Sequence, residues 1–250
     1  MQTFYIEKEN RDGETLRVTG DICRHLTKAL RIRVGESLRF SDGENYYEGD
    51  VTEIAKDAVS VAVRNLYAID DEPKTEVTLI QCLPRGDKMD QILQKTTELG
   101  VSAVIPVESD HSQVRLKGKT AEKKRRWQKI VNAAAEQCGR GRIPEVKEPC
   151  SLREALALLD ADTEILFCHE REKQRSFRET AREMKARSSK IAVLIGPEGG
   201  FSEGEAERIL NAGGKPVTMG RRILRTETAG PTALAVLMYE FDEWEAAHGN

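Results

Sequence analysis

Ile191-Ala-Val-Leu-Ile-Gly-Pro-Glu-Gly-Gly-Phe201 opens with five consecutive apolar residues, three of them β-branched. A run of that kind predicts a strand buried on both faces. Gly196, Pro197, Gly199 and Gly200 then break it, and Ser202 followed by Glu205 has the spacing of a helix capping box. The stretch therefore reads as strand, glycine-rich turn and helix start. Open α/β sheets bind ligands at the carboxyl ends of such strands.

The glycines suggest phosphate, because a helix N-terminus presents free N–H groups. Glu198, Glu203 and Glu205 crowd the same end and repel an anion. The turn has neither G-x-G-x-x-G nor the Lys-Ser/Thr of a P-loop. Gly118-Lys119-Thr120 fails as a P-loop too, since Gln113 stands where the first glycine is needed. A tight turn whose glycines serve only close packing is the other reading.

Downstream, Pro216–Met219 reads as a short strand ended by Gly220, followed by Arg221-Arg-Ile-Leu-Arg-Thr-Glu-Thr-Ala229. Thr228 is expected to cap a final helix reaching about Ala246, with Pro231 in its first turn. Leu234, Val236, Leu237, Tyr239 and Phe241 make that helix apolar on more than one side, so the body of the fold or another subunit must cover it. Loops 196–200 and 219–228 each follow a strand and are expected side by side at one sheet edge.

Upstream, residues 3–8, 15–19, 37–41, 46–51 and 58–63 pattern as short strands, with Asp42-Gly43 as a hairpin turn. One helix interrupts them, with Asp21 as N-cap and Leu26, Ala29 and Leu30 on one face. Together they suggest a small barrel over residues 1–70. The polar, proline-bearing segment 69–74 is the expected joint. From 75 to 250 the pattern changes to strands at 76–82, 101–107 and 163–168 before the opening one. Helices alternate with them at 87–99 (stopped by Gly100), 123–138, 151–159 (capped by Ser151 with Glu154) and 176–186. Trp127, Ile130, Val131 and Ala134 form the apolar stripe of the second. Such alternation means an α/β domain with a mostly parallel sheet.

Hydrophobic residues make up 39% and charged residues 32% of 250, a profile that supports a sizeable core. The net charge of −3 confines any nucleic-acid contact to local patches. Lys28, Arg31 and Arg33 either solvate a helix end or touch an RNA backbone. Residues 113–129 hold eight basic residues and one acidic, either a solvated helix face or a phosphate-binding surface. Arg140 and Arg142, set among glycines, favour the functional reading. The five scattered cysteines argue for free thiols in a reducing cytosol. Cys138 is expected to be a buried thiol rather than a nucleophile. Four dispersed histidines suggest no metal. The first residues show no signal peptide, and no apolar run approaches the roughly 20 residues of a membrane span, so a cytoplasmic protein is expected.

Ile195-Gly-Pro-Glu-Gly-Gly200 together with Gly220-Arg-Arg-Ile-Leu-Arg-Thr-Glu-Thr-Ala229 resembles the SPOUT-class RNA methyltransferases, and within them the ribosomal RNA small subunit methyltransferase E family. His25-Leu-Thr-Lys-Ala-Leu-Arg31, Gln94-Lys-Thr-Thr-Glu-Leu-Gly100 and Glu136-Gln-Cys-Gly-Arg140 extend the match over nearly the whole chain. The resemblance implies a PUA-like N-terminal barrel, a C-terminal parallel-sheet domain tied in a trefoil knot, and a homodimer. It implies S-adenosylmethionine as cofactor and N3 of a uridine in the 16S rRNA decoding region, within the small ribosomal subunit, as target. Candidate cofactor-binding residues are then Leu194, Ile195, Gly196, Glu198, Gly199, Gly200, Met219, Gly220, Ile223, Leu224, Thr226 and Thr228. Arg225 is the candidate catalytic residue, its other possible role being to hold the loop through Glu227. Candidate RNA contacts are Lys28, Arg31, Arg33, Arg85, Lys88, Arg140 and Arg142. The rival readings are a non-catalytic ribosomal-RNA-binding module and a methyltransferase of the same class acting on tRNA or 23S rRNA.

Overall fold

The structure, a computed structural model, describes residues 2–115 and 118–245. Lys117 of the basic stretch and Ala246, the expected end of the last helix, lie outside them. The chain forms two compact units. One holds the residues up to Glu72 together with Ala135–Ile143; the other holds Pro73–Ala134 and the residues from Pro144 onward.

In the first unit, β1 (Thr3–Tyr5), β2 (Arg11–Asp12), β3 (Thr15–Thr19), β4 (Ser37–Ser41), β5 (Asn45–Ile54) and β6 (Ala58–Ala68) make one sheet in the order β1-β4-β5-β6-β3-β2. Only the β1–β4 pair is parallel. Strand alternation sends Leu16 and Val18 of β3 inward against Phe4, Phe40, Val59 and Val61. The Asp42-Gly43 turn joins β4 to β5, with Gly43 at φ +85° and the Asp42 carboxylate accepting the N–H groups of Glu44 and Asn45. The short helix α1 (Gly20–Arg24) follows Thr19, so Asp21 lies in its first turn rather than at its cap. It passes directly into a π-helical turn, His25–Leu30. That wider winding displaces the expected apolar face: Cys23 and Leu26 are buried, whereas Ala29 and Leu30 are exposed.

The segment 135–143 is held in this unit by buried polar bonds. Arg140 and Glu72 pair at 2.6 Å with side chains only 11% and 9% exposed. Glu72 also accepts the backbone N–H groups of Gly141 and Arg142. The Tyr5 hydroxyl donates to the Arg140 carbonyl at 2.8 Å, and burial, with Glu72 close by, holds that phenol above its ordinary pKa. Cys138, expected to be buried, is exposed on the last helical turn.

The second unit is a parallel sheet. Its strands are β7 (Glu76–Cys82), β8 (Ala103–Glu108), β9 (Glu145–Val146), β10 (Cys150–Ser151), β11 (Glu164–Cys168), β12 (Lys190–Ile195) and β13 (Lys215–Val217). The order is β10-β8-β7-β12-β11-β13, with β9 also on β8. Residues 191–195, three of them β-branched, belong to a strand bordered by strands on both sides and are buried throughout. Helices α2 (Lys88–Glu98), α3 (Thr120–Cys138), α4 (Leu152–Ala157), α5 (Phe177–Lys185), α6 (Glu203–Asn211) and α7 (Thr226–Glu240) connect them. Gly100 ends α2 at φ +98°, and capping boxes at Ser151/Glu154 and Ser202/Glu205 start α4 and α6. On α3, Trp127, Val131 and Ala134 are buried and Ile130 is half-buried. The start of α7 differs from expectation. Arg225 is its N-cap, Thr228 lies within the helix, and Pro231 falls in the second turn. Leu234, Leu237 and Met238 are buried, while Tyr239 is 65% and Trp244 54% exposed. No helix among the described residues is long and apolar enough to cross a membrane.

Removing one member of the Arg140–Glu72 pair leaves a buried charge uncompensated, so Glu72→Ala is expected to lower the stability of the first unit by about 3 kcal/mol in urea unfolding. A change within about 0.5 kcal/mol contradicts the buried-pair assignment.

Candidate active site

The β7–β12 register sets Gln81 opposite Ile195. One residue on, the Gly196 carbonyl accepts the Thr226 hydroxyl at 2.9 Å. The Gln81 side-chain amide donates to that same hydroxyl oxygen at 3.0 Å and to the Cys82 carbonyl at 2.9 Å. Gln81 is fully buried and Thr226 is 5% exposed. The first residue of α7 is thereby pinned to the end of β12, and the two motif loops become walls of one cavity.

The turn after β12 is shaped by its last glycine. Gly200 donates its N–H to the Pro197 carbonyl at 2.9 Å and holds φ +68°. A Cβ there would also stand 2.5 Å from the Glu170 carboxylate. Behind the turn, buried Glu205 accepts the N–H groups of Ser202 and Asp110. His111 sets Nδ1 at 3.0 and 3.2 Å from the Gly199 and Gly200 carbonyls, which requires a hydrogen on that nitrogen. At the outer edge, Lys88 Nζ lies 2.7 Å from Glu198 and 3.3 Å from Glu227. Partial burial pushes the Glu198 carboxyl up, but the Lys88 ammonium and the Arg85 N–H outweigh it and hold the group below its ordinary range. Glu198 is accordingly an anion at neutral pH.

The cavity measures about 830 Å³. It is lined by Ile195, Gly196, Glu198, Gly200, Met219, Gly220, Ile223, Leu224, Arg225 and Thr226. Three other candidates stand off it. Leu194 is buried in the sheet core, Gly199 faces His111, and Thr228 is exposed on α7. The two loops meet, as expected, although the strands that lead into them are not neighbours: β11 runs between β12 and β13. The end of β11 supplies a third wall, Cys168, His169, Glu170, Glu172 and Lys173, which sequence reasoning missed. Its signal was present: residues 163–168 read as a parallel strand, and its carboxyl end belongs to the same ligand-binding edge.

Arg225 projects at the mouth, its side chain 82% exposed and 4.0 Å from Glu227. Lys88, read as an RNA contact, lines the cavity and is engaged by two glutamates. Arg85 is exposed beside it. In the first unit, Lys28, Arg31 and Arg33 are exposed near the π-helical turn, with Arg31 in the left-handed conformation at φ +54°. Arg142 is exposed and donates to the Gly43 carbonyl. Arg140 is turned inward to Glu72, so its charge serves the fold rather than a surface.

Comparison with known proteins agrees with this arrangement. Residues 71–238 match the family model of the RNA methyltransferase domain, and residues 18–64 match that of the RNA methyltransferase PUA domain. Ribosomal RNA small subunit methyltransferase E of Bacillus subtilis is 33% identical, over 96% of this chain and 97% of that protein. The chain belongs to the ribosomal RNA small subunit methyltransferase E family. The methyltransferase E of Neisseria gonorrhoeae, solved bound to S-adenosyl methionine, superposes with a TM-score of 0.83 at 35% identity, covering 95% of this chain and 97% of that one. A Legionella pneumophila methyltransferase, solved in complex with the same cofactor, gives 0.82 at 30% identity over 95% and 96% of the two chains. The first unit is thus the PUA-like part of a family whose second part is the methyltransferase domain.

Thr226→Val removes the hydroxyl at nearly constant volume and leaves the Gly196 carbonyl unpaired. It is expected to cost about 1–3 kcal/mol in denaturant unfolding. Thr228→Val, at an exposed position, is expected to stay within about 0.5 kcal/mol. Equal effects contradict the pinning role of Thr226.

Proposed function

We propose that this protein transfers the methyl group of S-adenosylmethionine to N3 of a uridine in 16S rRNA, acting as a cytoplasmic homodimer on the small subunit or its RNA. The reading rests above all on one observation: the motif loops of a family of RNA methyltransferases close on a single cavity with the Arg225 side chain exposed at its mouth.

The cavity suits this cofactor chemically. Ile195, Val217, Met219 and Leu224 offer apolar surface for an adenine ring. The glycine backbone at 196 and 200 leaves room and polar groups for a ribose. The carboxylates of Glu170, Glu172 and Glu198 disfavour phosphate and tolerate a positive sulfonium. When bound, the cofactor supplies an electrophilic methyl group on that sulfonium. We further infer the trefoil knot of this fold class, in which the segments 195–200 and 217–226 form the threaded region.

The residues' task is to hold and polarise the base. Uracil N3 carries its proton at neutral pH; releasing that proton to water at the open mouth spreads negative charge onto the two ring carbonyls, and N3 then takes the methyl group. The Arg225 guanidinium, always charged and not buried by Glu227, is positioned to stabilise that charge. Thr226 and Gln81 fix the backbone from which Arg225 projects. The glycine turn keeps the methyl donor and the base in one site, which supplies proximity. The half-exposed Val236 of α7 and Phe241 at its C-cap, with Tyr239 and Trp244, provide a face for the second subunit.

Incubation with labelled S-adenosylmethionine and small-subunit RNA or particles, followed by nucleoside analysis, is expected to yield N3-methyluridine. Label on tRNA, on 23S rRNA or on another base atom contradicts the target, and absence of label contradicts the activity. Arg225→Ala is expected to lower turnover roughly 10²- to 10³-fold, with cofactor affinity by calorimetry nearly unchanged.

A further inference from the structure

The cavity mouth carries cations that neither the fold nor the cofactor accounts for. Lys173, Arg221 and Arg222 line it and are exposed. Among the described residues none of the three makes an ion pair, whereas Arg171 nearby is paired with Glu203. Of the carboxylates lining the same cavity, Glu170 lies against Gly200, and none forms an ion pair with these three cations among the described residues. Glu172 accepts the N–H groups of Gln174 and Arg175, and Glu198 accepts from Lys88 and Arg85. The three exposed side chains are therefore open to a charged partner from outside.

The rim is also firmly mounted. The Thr218 N–H donates to the Arg175 carbonyl at 2.9 Å, and the His169 N–H donates to the Val217 carbonyl at 3.1 Å. Gly220 donates its N–H to the Thr218 hydroxyl at 3.2 Å. The first two of these bonds join the segment that carries Lys173 to β13 and the start of the loop that carries Arg221, Arg222 and Arg225; the third holds that loop's own turn. Three uncommitted cations on two joined loops, beside an exposed catalytic arginine, suit a chain of closely spaced phosphates.

We propose that Lys173, Arg221 and Arg222 form a phosphate clamp for single-stranded RNA, gripping the backbone on either side of the nucleotide whose base enters the cavity. The proposal rests on the RNA methyltransferase reading and adds the second unit's own RNA surface to it. Lys28, Arg31 and Arg33 are exposed on the first unit and are not part of the clamp. The clamp positions the substrate; the base chemistry stays with Arg225.

The test compares wild type with Lys173→Ala/Arg221→Ala/Arg222→Ala. Affinity for a short single-stranded 16S rRNA fragment is measured by fluorescence anisotropy over a salt series, and S-adenosylmethionine affinity by calorimetry. Each lost phosphate contact removes roughly 0.7 from the log–log salt slope, so the triple variant is expected to flatten it by about 2. Affinity for the fragment falls by about tenfold or more, and cofactor affinity stays within about threefold. The single variants, each expected to remove about 0.7, decide the matter if the triple variant folds poorly. An unchanged slope in variants of a wild type that binds and methylates RNA overturns the clamp alone. Lost cofactor affinity with an unchanged slope also overturns it, assigning these cations to the cofactor's carboxylate. A wild type without salt-dependent RNA affinity overturns the functional reading and the clamp with it.

Discussion

The bond from the Thr226 hydroxyl to the Gly196 carbonyl is the constraint on which the site depends. Without it, the glycine turn after β12 and the loop before α7 are two separate surface segments, their strands divided by β11. With it, and with Gln81 beneath, they share an anchor in the buried centre of the sheet. Hydrogen bonds among buried groups resist loss because an unpaired member carries its full desolvation cost. A cavity that must admit a cofactor and a nucleotide thus gets a rigid floor without losing its open mouth.

Much of this was legible because local chemistry and global fold agree. The apolar run at 191–195, the serine–glutamate boxes and the helix-ending Gly100 each have a single reading that tertiary contacts did not override. The misreadings have physical causes. The first helix of the chain winds into a π-turn, which no 3.6-residue periodicity shows. Thr228 resembles a cap, but the helix starts earlier because Thr226 is fixed by bonds to residues far away in sequence. Arg140 looks like a surface charge among glycines. Only the three-dimensional proximity of Glu72 turns it inward. The third wall at 168–173 follows a strand that the pattern does show, but its place between the two motif loops needed the strand order, which sequence pattern does not contain.

Charge is distributed by task over the second unit. Near the glycine turn, Glu172 and Glu205 are tied to backbone N–H groups and Glu198 to Lys88 and the Arg85 N–H, and with Glu170 these carboxylates favour a cation over a phosphate in the cavity. Lys173, Arg221, Arg222 and Arg225 stand exposed where a polyanion would arrive. A near-neutral chain can therefore handle RNA through local fields, with little reliance on overall charge.

The most direct measurement is a crystal structure of the protein with S-adenosylmethionine bound. The account predicts the cofactor between residues 195–200, the end of β11 and residues 217–226, with its transferable methyl group facing the Arg225 side of the mouth. Cofactor seated elsewhere, or a methyl group turned away from that mouth, contradicts it.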